Sequence, residues 1–98
     1  MGAIADRDGV AADQGESLAP AVTRAALILE VMAEQPGEPV GASELARRLG
    51  LPKSSIANIL NAMADAGLVR RAGGGFALGR KIAELGGAYL ASIDLVQE

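Results

Sequence analysis

The fold is decided by residues 43–68, SELARRLGLPKSSIANILNAMADAGL. This segment opens with a short amphipathic pattern, passes through a Gly-Leu-Pro turn at residues 50–52, and continues as a second helical pattern with polar residues at its start. Ser43 is predicted to cap the first of these helices with its hydroxyl, and Gly50 to end it in the left-handed conformation. Helix, tight turn and helix in this order predict a helix-turn-helix, whose second helix lies in the major groove of DNA.

Apolar residues at helical spacing give each of these two helices a buried side. The stripe of the first helix consists of Leu45, Ala46 and Leu49. Arg47 and Arg48 therefore face outward. The stripe of the second helix, predicted over residues 52–66, consists of Ile56, Ile59 or Leu60, and Met63. Pro52 suits its first position, where a missing N–H has no cost, and Gly67 ends it.

A further amphipathic helix precedes this motif. It is predicted over residues 20–35, with Pro20 in its first turn and Pro36-Gly37 as its stop. Its apolar stripe consists of Val22, Ala25, Ile28 or Leu29, and Met32. Residues 38–42 form a connector with one short strand at Val40. Residues 1–19 are rich in Ala, Gly and Asp without periodicity, so they are predicted to form a disordered tail.

Two short strands follow the motif. Two short segments with apolar residues, 68–72 and 76–78, lie on either side of three consecutive glycines, Gly73 to Gly75. This pattern predicts an antiparallel hairpin. A lone hairpin is marginal in water, so Val69, Phe76 and Leu78 should pack on the helices. The predicted fold is mainly α with a small β-hairpin: a winged helix-turn-helix over residues 20–79, with a three-helix core and a wing.

A last helix is predicted over residues 80–98. Its apolar residues recur every three to four positions, as in a short coiled-coil seam. The residues predicted to mediate dimerisation are Ile82, Leu85, Tyr89, Leu90 and Ile93. Gln97-Glu98 offers no glycine, asparagine or proline stop, so we expect a linker helix that is cut short in a fragment of a longer protein.

The net charge of -3 hides a basic centre. Residues 1–20 and residues 82–98 each sum to -3, whereas residues 21–81 hold eight cations against five anions and sum to +3. Within residues 47–81, seven cations face only Asp65. A basic segment that coincides with a helix-turn-helix and its wing indicates nucleic-acid binding, although a run of Arg and Lys is otherwise an ordinary solvated face.

Composition excludes several other classes of protein. The chain has no cysteine and no histidine, which excludes disulfides, thiolate chemistry and histidine acid–base catalysis, and argues against zinc sites. Its carboxylates are scattered, no nucleophile has a base nearby in the sequence pattern, and the glycine run lacks the Lys-Ser/Thr ending of a phosphate loop. We therefore expect no enzyme and no cofactor. No apolar run reaches membrane-spanning length and no signal pattern is present, which predicts a cytoplasmic protein with no membrane partner.

The buried stripe of the second motif helix leaves a polar face for DNA. Leading residues of a recognition helix reach base edges, and the predicted base-reading residues are Ser54, Ser55 and Asn58. The predicted contacts to the DNA backbone are Ser43, Arg47, Arg48, Lys53, Asn61, Arg70, Arg71 and Gly74. Two alternatives stay open at this point: Ser54 and Ser55 cap the helix as well as or instead of reading bases, and the glycine run is a flexible turn only.

Four segments together resemble the IclR family of bacterial transcriptional regulators. They are TRAALILEVMA at residues 23–33, SELARRLGLPKSS at 43–55, AGLVR at 66–70 and FALG at 76–79. The resemblance covers roughly residues 20–98 and follows the family's order of elements. It implies an N-terminal winged-helix DNA-binding domain, joined by a linker helix to an effector-sensing domain that these residues lack. It further implies a homodimer or tetramer on a palindromic operator, most often as a repressor of a catabolic operon.

This sequence departs from the family pattern at Ala57 and Asn58, where members usually carry bulkier polar or basic residues, and at Ala77, where they usually carry a polar or basic wing residue. The resemblance therefore does not give the operator sequence. Two other interpretations remain: a winged helix that docks onto proteins, favoured by the acidic total charge and the thin polar face, and a DNA-binding domain of a different, MarR-like family.

Overall fold

The computed structural model describes residues 18–93. Within that range the chain forms, in order, helices α1 (Pro20–Glu34), α2 (Ala42–Leu49) and α3 (Lys53–Asp65), strands β1 (Val69–Ala72) and β2 (Gly75–Leu78), and helix α4 (Arg80–Ser92). The predicted mainly helical winged helix-turn-helix is confirmed. The predicted disordered tail lies outside the described residues except for Leu18 and Ala19, and so do the last five residues of the predicted linker helix.

The core lies where α1, α2 and α3 meet. Its largest fully buried side chains are Ile28, Met32, Leu45, Ile56 and Leu60. Each comes from an apolar stripe that the periodicity predicts, and burying each contributes about 1.5–3 kcal/mol. Val22 is the exception, because it is 69% exposed. The spacing places Val22 on the apolar face of α1. In the structure, Val22 lies outside the core and lines a shallow apolar groove together with Asn58 and Ile59.

The turn of the motif forms as the sequence predicts. Gly50 has a φ of 70° and a ψ of 35°, and the Leu51 N–H donates to the Ala46 carbonyl at 3.0 Å, so α2 ends in a Schellman-type cap. Pro52 has extended backbone angles and is the N-cap of α3, whose first residue is Lys53. Pro52 thus lies one position before the predicted one, and its carbonyl accepts bonds from the Ser55 and Ile56 N–H groups.

The start of α2 differs from the prediction, since Ser43 is not its N-cap. The helix begins at Ala42 after Gly41, and the Leu45 N–H donates to the Gly41 carbonyl at 3.1 Å. The cause is a tertiary contact. Val40 forms an antiparallel bridge with Phe76, through two backbone hydrogen bonds of 2.8 and 2.9 Å. That bridge lies where the sequence predicts a short strand, although it is a single residue pair and no strand forms at Val40. It holds the chain directly before the start of the helix.

The wing is a hairpin with a two-residue turn. Its register pairs Val69 with Leu78 and Ala72 with Gly75, so Gly75 belongs to β2 and not to the predicted glycine turn. Gly73 and Gly74 have φ values of 50° and 82°. Positive φ at both central residues is typical of a type I′ turn, which favours glycine. Val69 is in the core, and Phe76 and Leu78 pack against it as predicted.

Two backbone hydrogen bonds join the chain at the start of α4 to the segment just before β1. The Gly79 N–H donates to the Leu68 carbonyl at 2.8 Å and the Lys81 N–H to the Gly67 carbonyl at 3.1 Å. No residue of α4 is buried, although Ile82 is half-buried. Within residues 18–93 no helix is long and apolar enough to cross a membrane.

Candidate nucleic-acid interface

The outer edge of α3 carries the three residues that the sequence predicts as base readers. Ser54 and Asn58 are exposed and Ser55 is half-buried, whereas Ile56 and Leu60 on the opposite side are buried. Within residues 18–93 the three polar side chains make no hydrogen bond. Their donors and acceptors are therefore available to an external partner. A carboxamide such as that of Asn58 can pair in two places with adenine.

The first turn of α3 suits an anion. Pro52 occupies the N-cap, so the alternative in which Ser54 and Ser55 cap the helix does not hold. Within residues 18–93 the N–H groups of Lys53 and Ser54 have no backbone acceptor, because the first carbonyl of the helix serves Ser55 and Ile56. Free N–H groups and the positive end of the helix dipole favour a phosphate. The exposed ammonium of Lys53 adds a full positive charge there.

The two arginines of α2 face outward as predicted, but both are paired with carboxylates. Arg47 Nη2 lies 2.7 Å from Glu44 Oε2. Arg48 donates from both Nη atoms to the two oxygens of Glu34, at 2.9 Å each, and so joins α2 to the end of α1. The hydrogen bond from Arg48 lowers the pKa of Glu34 below its ordinary value of 4.5. A pocket beside this ion pair is also lined by Glu38.

Asn61 and Arg71 come together where α3 meets the wing. Arg71 Nη2 donates to Asn61 Oδ1 at 2.8 Å. The Arg71 guanidinium carbon also lies 5.5 Å from the centroid of the Phe76 ring, and Phe76 is its direct partner in the hairpin register. The side chain is thus held by one residue from the helix and one from β2.

Arg70 points away from Arg71. Successive residues of a strand lie on opposite faces, and Arg70 Nε donates to the Leu78 carbonyl at 3.2 Å. Its neighbours in a shallow pocket include Arg80 and Lys81 at the start of α4. The sequence groups Arg70 and Arg71 as one basic pair beside the wing, whereas the structure places them in two different surroundings.

The remaining predicted contacts lie at the rims of this surface. Ser43 is exposed in the first turn of α2 and its hydroxyl makes no hydrogen bond within residues 18–93. Gly74 is exposed at the wing tip, where the absence of a side chain lets the backbone approach a partner closely. Ala77 is only 2% exposed. The wing therefore offers a partner no free surface at Ala77.

Ion pairing divides the basic surface into two groups. Among the seven cations of residues 47–81, Arg47, Arg48, Arg80 and Lys81 pair with carboxylates. Lys53, Arg70 and Arg71 have no such partner within the described part of the chain. Positive charge without a carboxylate partner is therefore concentrated on α3 and the wing. Lys53 and Arg71 lie on the same side of the domain as the free polar edge of α3.

Comparison with known proteins identifies the family. The profile of the IclR helix-turn-helix domain matches residues 21–73, which include α1 except Pro20, the helix-turn-helix and β1. The chain belongs to the IclR helix-turn-helix family. This IclR domain is the DNA-binding domain of a transcriptional regulator, and the MarR-like and protein-docking interpretations are not favoured.

Two solved structures resemble the IclR chain. The repressor BlcR of Agobacterium tumefaciens is 32% identical over 76% of this chain and 30% of its own, with a TM-score of 0.67. The S-adenosylmethionine-dependent methyltransferase SibL, in its apo form, is 24% identical over 96% of this chain and 26% of its own, with a TM-score of 0.57, which shows a shared fold alone. The chain thus spans less than a third of either protein. A search of curated proteins gave no significant match.

Some unexpected features around the IclR motif follow from local sequence rules, whereas others do not. Glu44 and Arg47 are three residues apart on a helix, a spacing that predicts an ion pair. Strand alternation likewise predicts that Arg70 and Arg71 diverge. No local pattern predicts the Glu34–Arg48 and Asn61–Arg71 contacts, since their partners are 14 and 10 residues apart. Within residues 18–93 no group of three or more acidic residues is arranged to hold a metal ion.

Proposed function

We propose that this chain is the operator-binding part of a bacterial transcriptional repressor that reads DNA through the outer edge of α3. In this proposal α3 lies in the major groove, and Ser54, Ser55 and Asn58 contact base edges. The observation that carries it is the set of unpaired polar atoms at the exposed start of the second motif helix, on a domain of an established DNA-binding family. The likeness to a protein whose structure is described as a repressor supports the repressor role.

Contacts to the DNA backbone surround this edge. Lys53 and the free N–H groups of α3 bind the phosphate nearest the groove, and the wing, residues 69–78, lies on the backbone or in the minor groove. The further contacts are Ser43, Arg47, Arg48, Arg70, Arg71 and Gly74, and Asn61 takes part through its hydrogen bond with Arg71. Such contacts position the protein without reading sequence. Arg47 and Arg48 exchange their carboxylates for phosphates in order to take part.

The active form is a homodimer on a palindromic operator. Helix α4 supplies the contact, since Leu85, Tyr89 and Leu90 on it and Ile93 at its C-cap are 41–63% exposed. Ile82 joins this seam at its half-buried end. Gly86 and Gly87 have open space around them, which would let a second helix approach closely. A two-fold dimer matches a palindrome because its half-sites repeat the protein's symmetry.

The rest of the protein adds control. A domain beyond this chain binds a small-molecule effector and, in the full-length protein, supports tetramers that repress a catabolic operon. The whole works in the bacterial cytoplasm, at the nucleoid, and is not an enzyme. The small share of BlcR that this chain covers supports a further domain.

The base-reading role of Asn58 is tested on a duplex selected from a randomised library by the wild-type chain. Asn58→Ala should lose discrimination at one base pair per half-site, where a bidentate contact is worth about 1–3 kcal/mol, while retaining its affinity for mixed-sequence DNA. Gln35→Ala is the matched control, since it removes an exposed amide outside α3. Unchanged preference at every base pair in Asn58→Ala would contradict the assignment.

The dimer is tested by sedimentation of the same chain. Tyr89→Glu places a charge in the seam of α4 and should convert dimers to monomers. Val22→Glu is the control, because Val22 is similarly exposed but lies on α1. If Val22→Glu dissociates the dimer and Tyr89→Glu does not, the interface lies at α1 instead of α4.

A further inference from the structure

The Arg71 side chain is held from two directions at the junction of helix and wing. Asn61 accepts a hydrogen bond from Nη2, and the Phe76 ring lies against the guanidinium. Asn61 belongs to α3 and Phe76 to β2, so the two supports come from two different elements, neither of which is the strand that carries Arg71. An exposed arginine normally samples many rotamers, whereas two such supports favour one orientation.

Most of the binding capacity of this guanidinium is unused. An arginine has five N–H donors in a planar fork, and within residues 18–93 the only hydrogen bond of the Arg71 side chain goes to Asn61. Asn61 is neutral, so the contact fixes the group without cancelling its charge. The contrast is Arg48, whose two terminal nitrogens both bind the Glu34 carboxylate. A fixed, charged and partly free fork is suited to a phosphate.

Asn61 and Phe76 form a cradle around Arg71, and the position of this cradle indicates which DNA phosphate it would bind. Asn61 lies three residues after Asn58, so both occupy one face of α3. Arg71 lies beside this face on the wing side. A duplex that places its base edges at Asn58 would therefore bring the phosphates flanking the groove towards Arg71.

We propose that Asn61 and Phe76 preset Arg71 for a DNA phosphate at the junction of recognition helix and wing. Arg71 is the contact, and Asn61 is a positioning residue that acts through it. This inference rests on the proposed placement of α3 in the major groove. Presetting lowers the entropy lost on binding, so removing Asn61 should weaken affinity by about threefold to tenfold.

A double-mutant cycle separates this role from direct contact. Binding of the 98-residue chain to the library-selected duplex is followed by fluorescence anisotropy between about 50 and 200 mM salt. Arg71→Ala should lower the salt-dependence exponent by about 0.9 per bound copy. Asn61→Ala should weaken binding in the wild-type background and have no further effect in the Arg71→Ala background. Equal losses in both backgrounds would overturn the positioning role, and an unchanged exponent in Arg71→Ala would overturn the phosphate contact.

Asn61→Asp distinguishes a phosphate contact from a purely structural tie. The carboxylate would keep the bond to Arg71 but neutralise its charge, as Glu34 does for Arg48. Thermal stability should therefore hold while DNA affinity and the salt exponent fall. A purely structural tie predicts that DNA affinity and the salt exponent also stay unchanged, because the charge-assisted bond would preserve the tie. Unchanged binding would therefore overturn the proposal. Arg80→Ala, which removes a cation paired with Glu84, is the matched control.

These outcomes stand apart from failure of the proposed function. Asn58→Ala reports on the base-reading edge whatever happens at Arg71. If Asn58→Ala changes sequence preference and the Asn61–Arg71 cycle shows no coupling, the cradle fails while the groove placement stands. If the cycle shows coupling and Asn58→Ala leaves preference unchanged, the base-reading assignment fails.

Discussion

The outward faces of α2 and α3 both carry basic side chains, but within the described residues only those of α2 are paired with carboxylates. On α2, Arg47 and Arg48 lie 2.7 and 2.9 Å from carboxylate oxygens. On α3, Lys53 has no ion pair within the described residues, and the free backbone N–H groups beside it contribute further partial positive charge. One face is therefore locally neutralised, whereas the other presents its charge to solvent.

The difference shows that a count of cations overstates the charge available to DNA. Sequence counting gives the segment 47–81 seven cations against one anion. Glu34 and Glu44 lie just before that segment, and folding brings them onto two of its arginines. Exposed pairs of this kind contribute little to stability and can be exchanged for a phosphate. Each exchange still returns less free energy than an unpaired cation would, because a carboxylate is released.

The largest expected effect compares these two faces directly. Lys53→Gln and Arg48→Gln each remove one charge and keep a polar side chain of useful length. Lys53→Gln should weaken DNA binding by about tenfold, the value of a charge-assisted hydrogen bond, and Arg48→Gln by at most about twofold. Both affinities are measured by anisotropy on one duplex at one salt concentration. Equal losses would mean that the release of Arg48 from Glu34 costs no binding free energy, and the contrast between the faces would be broken.

Local sequence rules account for most of the fold. Periodicity placed all five of the largest buried side chains in stripes, and Gly50 and Pro52 located the turn to within one residue. The failures share a cause. Ser43 is not a cap because a bridge between Val40 and Phe76, far apart in sequence, sets where α2 begins. Val22 is exposed because spacing defines a face of a helix and not how much of that face its neighbours cover.

The site was predictable to the extent that one element defines it. The free edge of α3 follows from its own buried stripe, since Ile56 and Leu60 leave Ser54 and Asn58 on the outside. Pairing between elements was not predictable from spacing. Glu34 reaches Arg48 only because the end of α1 packs beside α2, and Asn61 reaches Arg71 only because the wing folds back on α3.

A smaller effect is expected from releasing Arg48. Glu34→Gln removes the paired carboxylate and leaves the guanidinium charged, so DNA affinity should rise by about threefold. The salt exponent should also increase, because no carboxylate is released to take up a counterion when Arg48 binds a phosphate. The double variant Glu34→Gln with Arg48→Gln should show no increase in the exponent. An increase that persists in the double variant would mean that Glu34 acts by repelling DNA directly, and Arg48 would then lie away from the backbone.

The smallest effect concerns pH. Arg48 lowers the pKa of Glu34, chiefly through their hydrogen bond and further through charge attraction, from its ordinary value of 4.5. A carboxylate with a lowered pKa in the folded state stabilises the fold above its unfolded pKa, and that contribution is lost as the pH falls through the folded value. The melting temperature of the wild type should therefore exceed that of Glu34→Gln near neutral pH, and the gap should close on acidification below about pH 4.5.

Circular dichroism at a series of pH values measures that gap, and differences between variants cancel the titration of the other carboxylates. The Arg48→Gln background is the control, because without the guanidinium the Glu34→Gln substitution should change the melting temperature equally at all pH values. A gap that persists unchanged into acid would mean that the ion pair does not form in solution. Arg48 would then be as available to DNA as Lys53, and the two faces would differ only in where they lie.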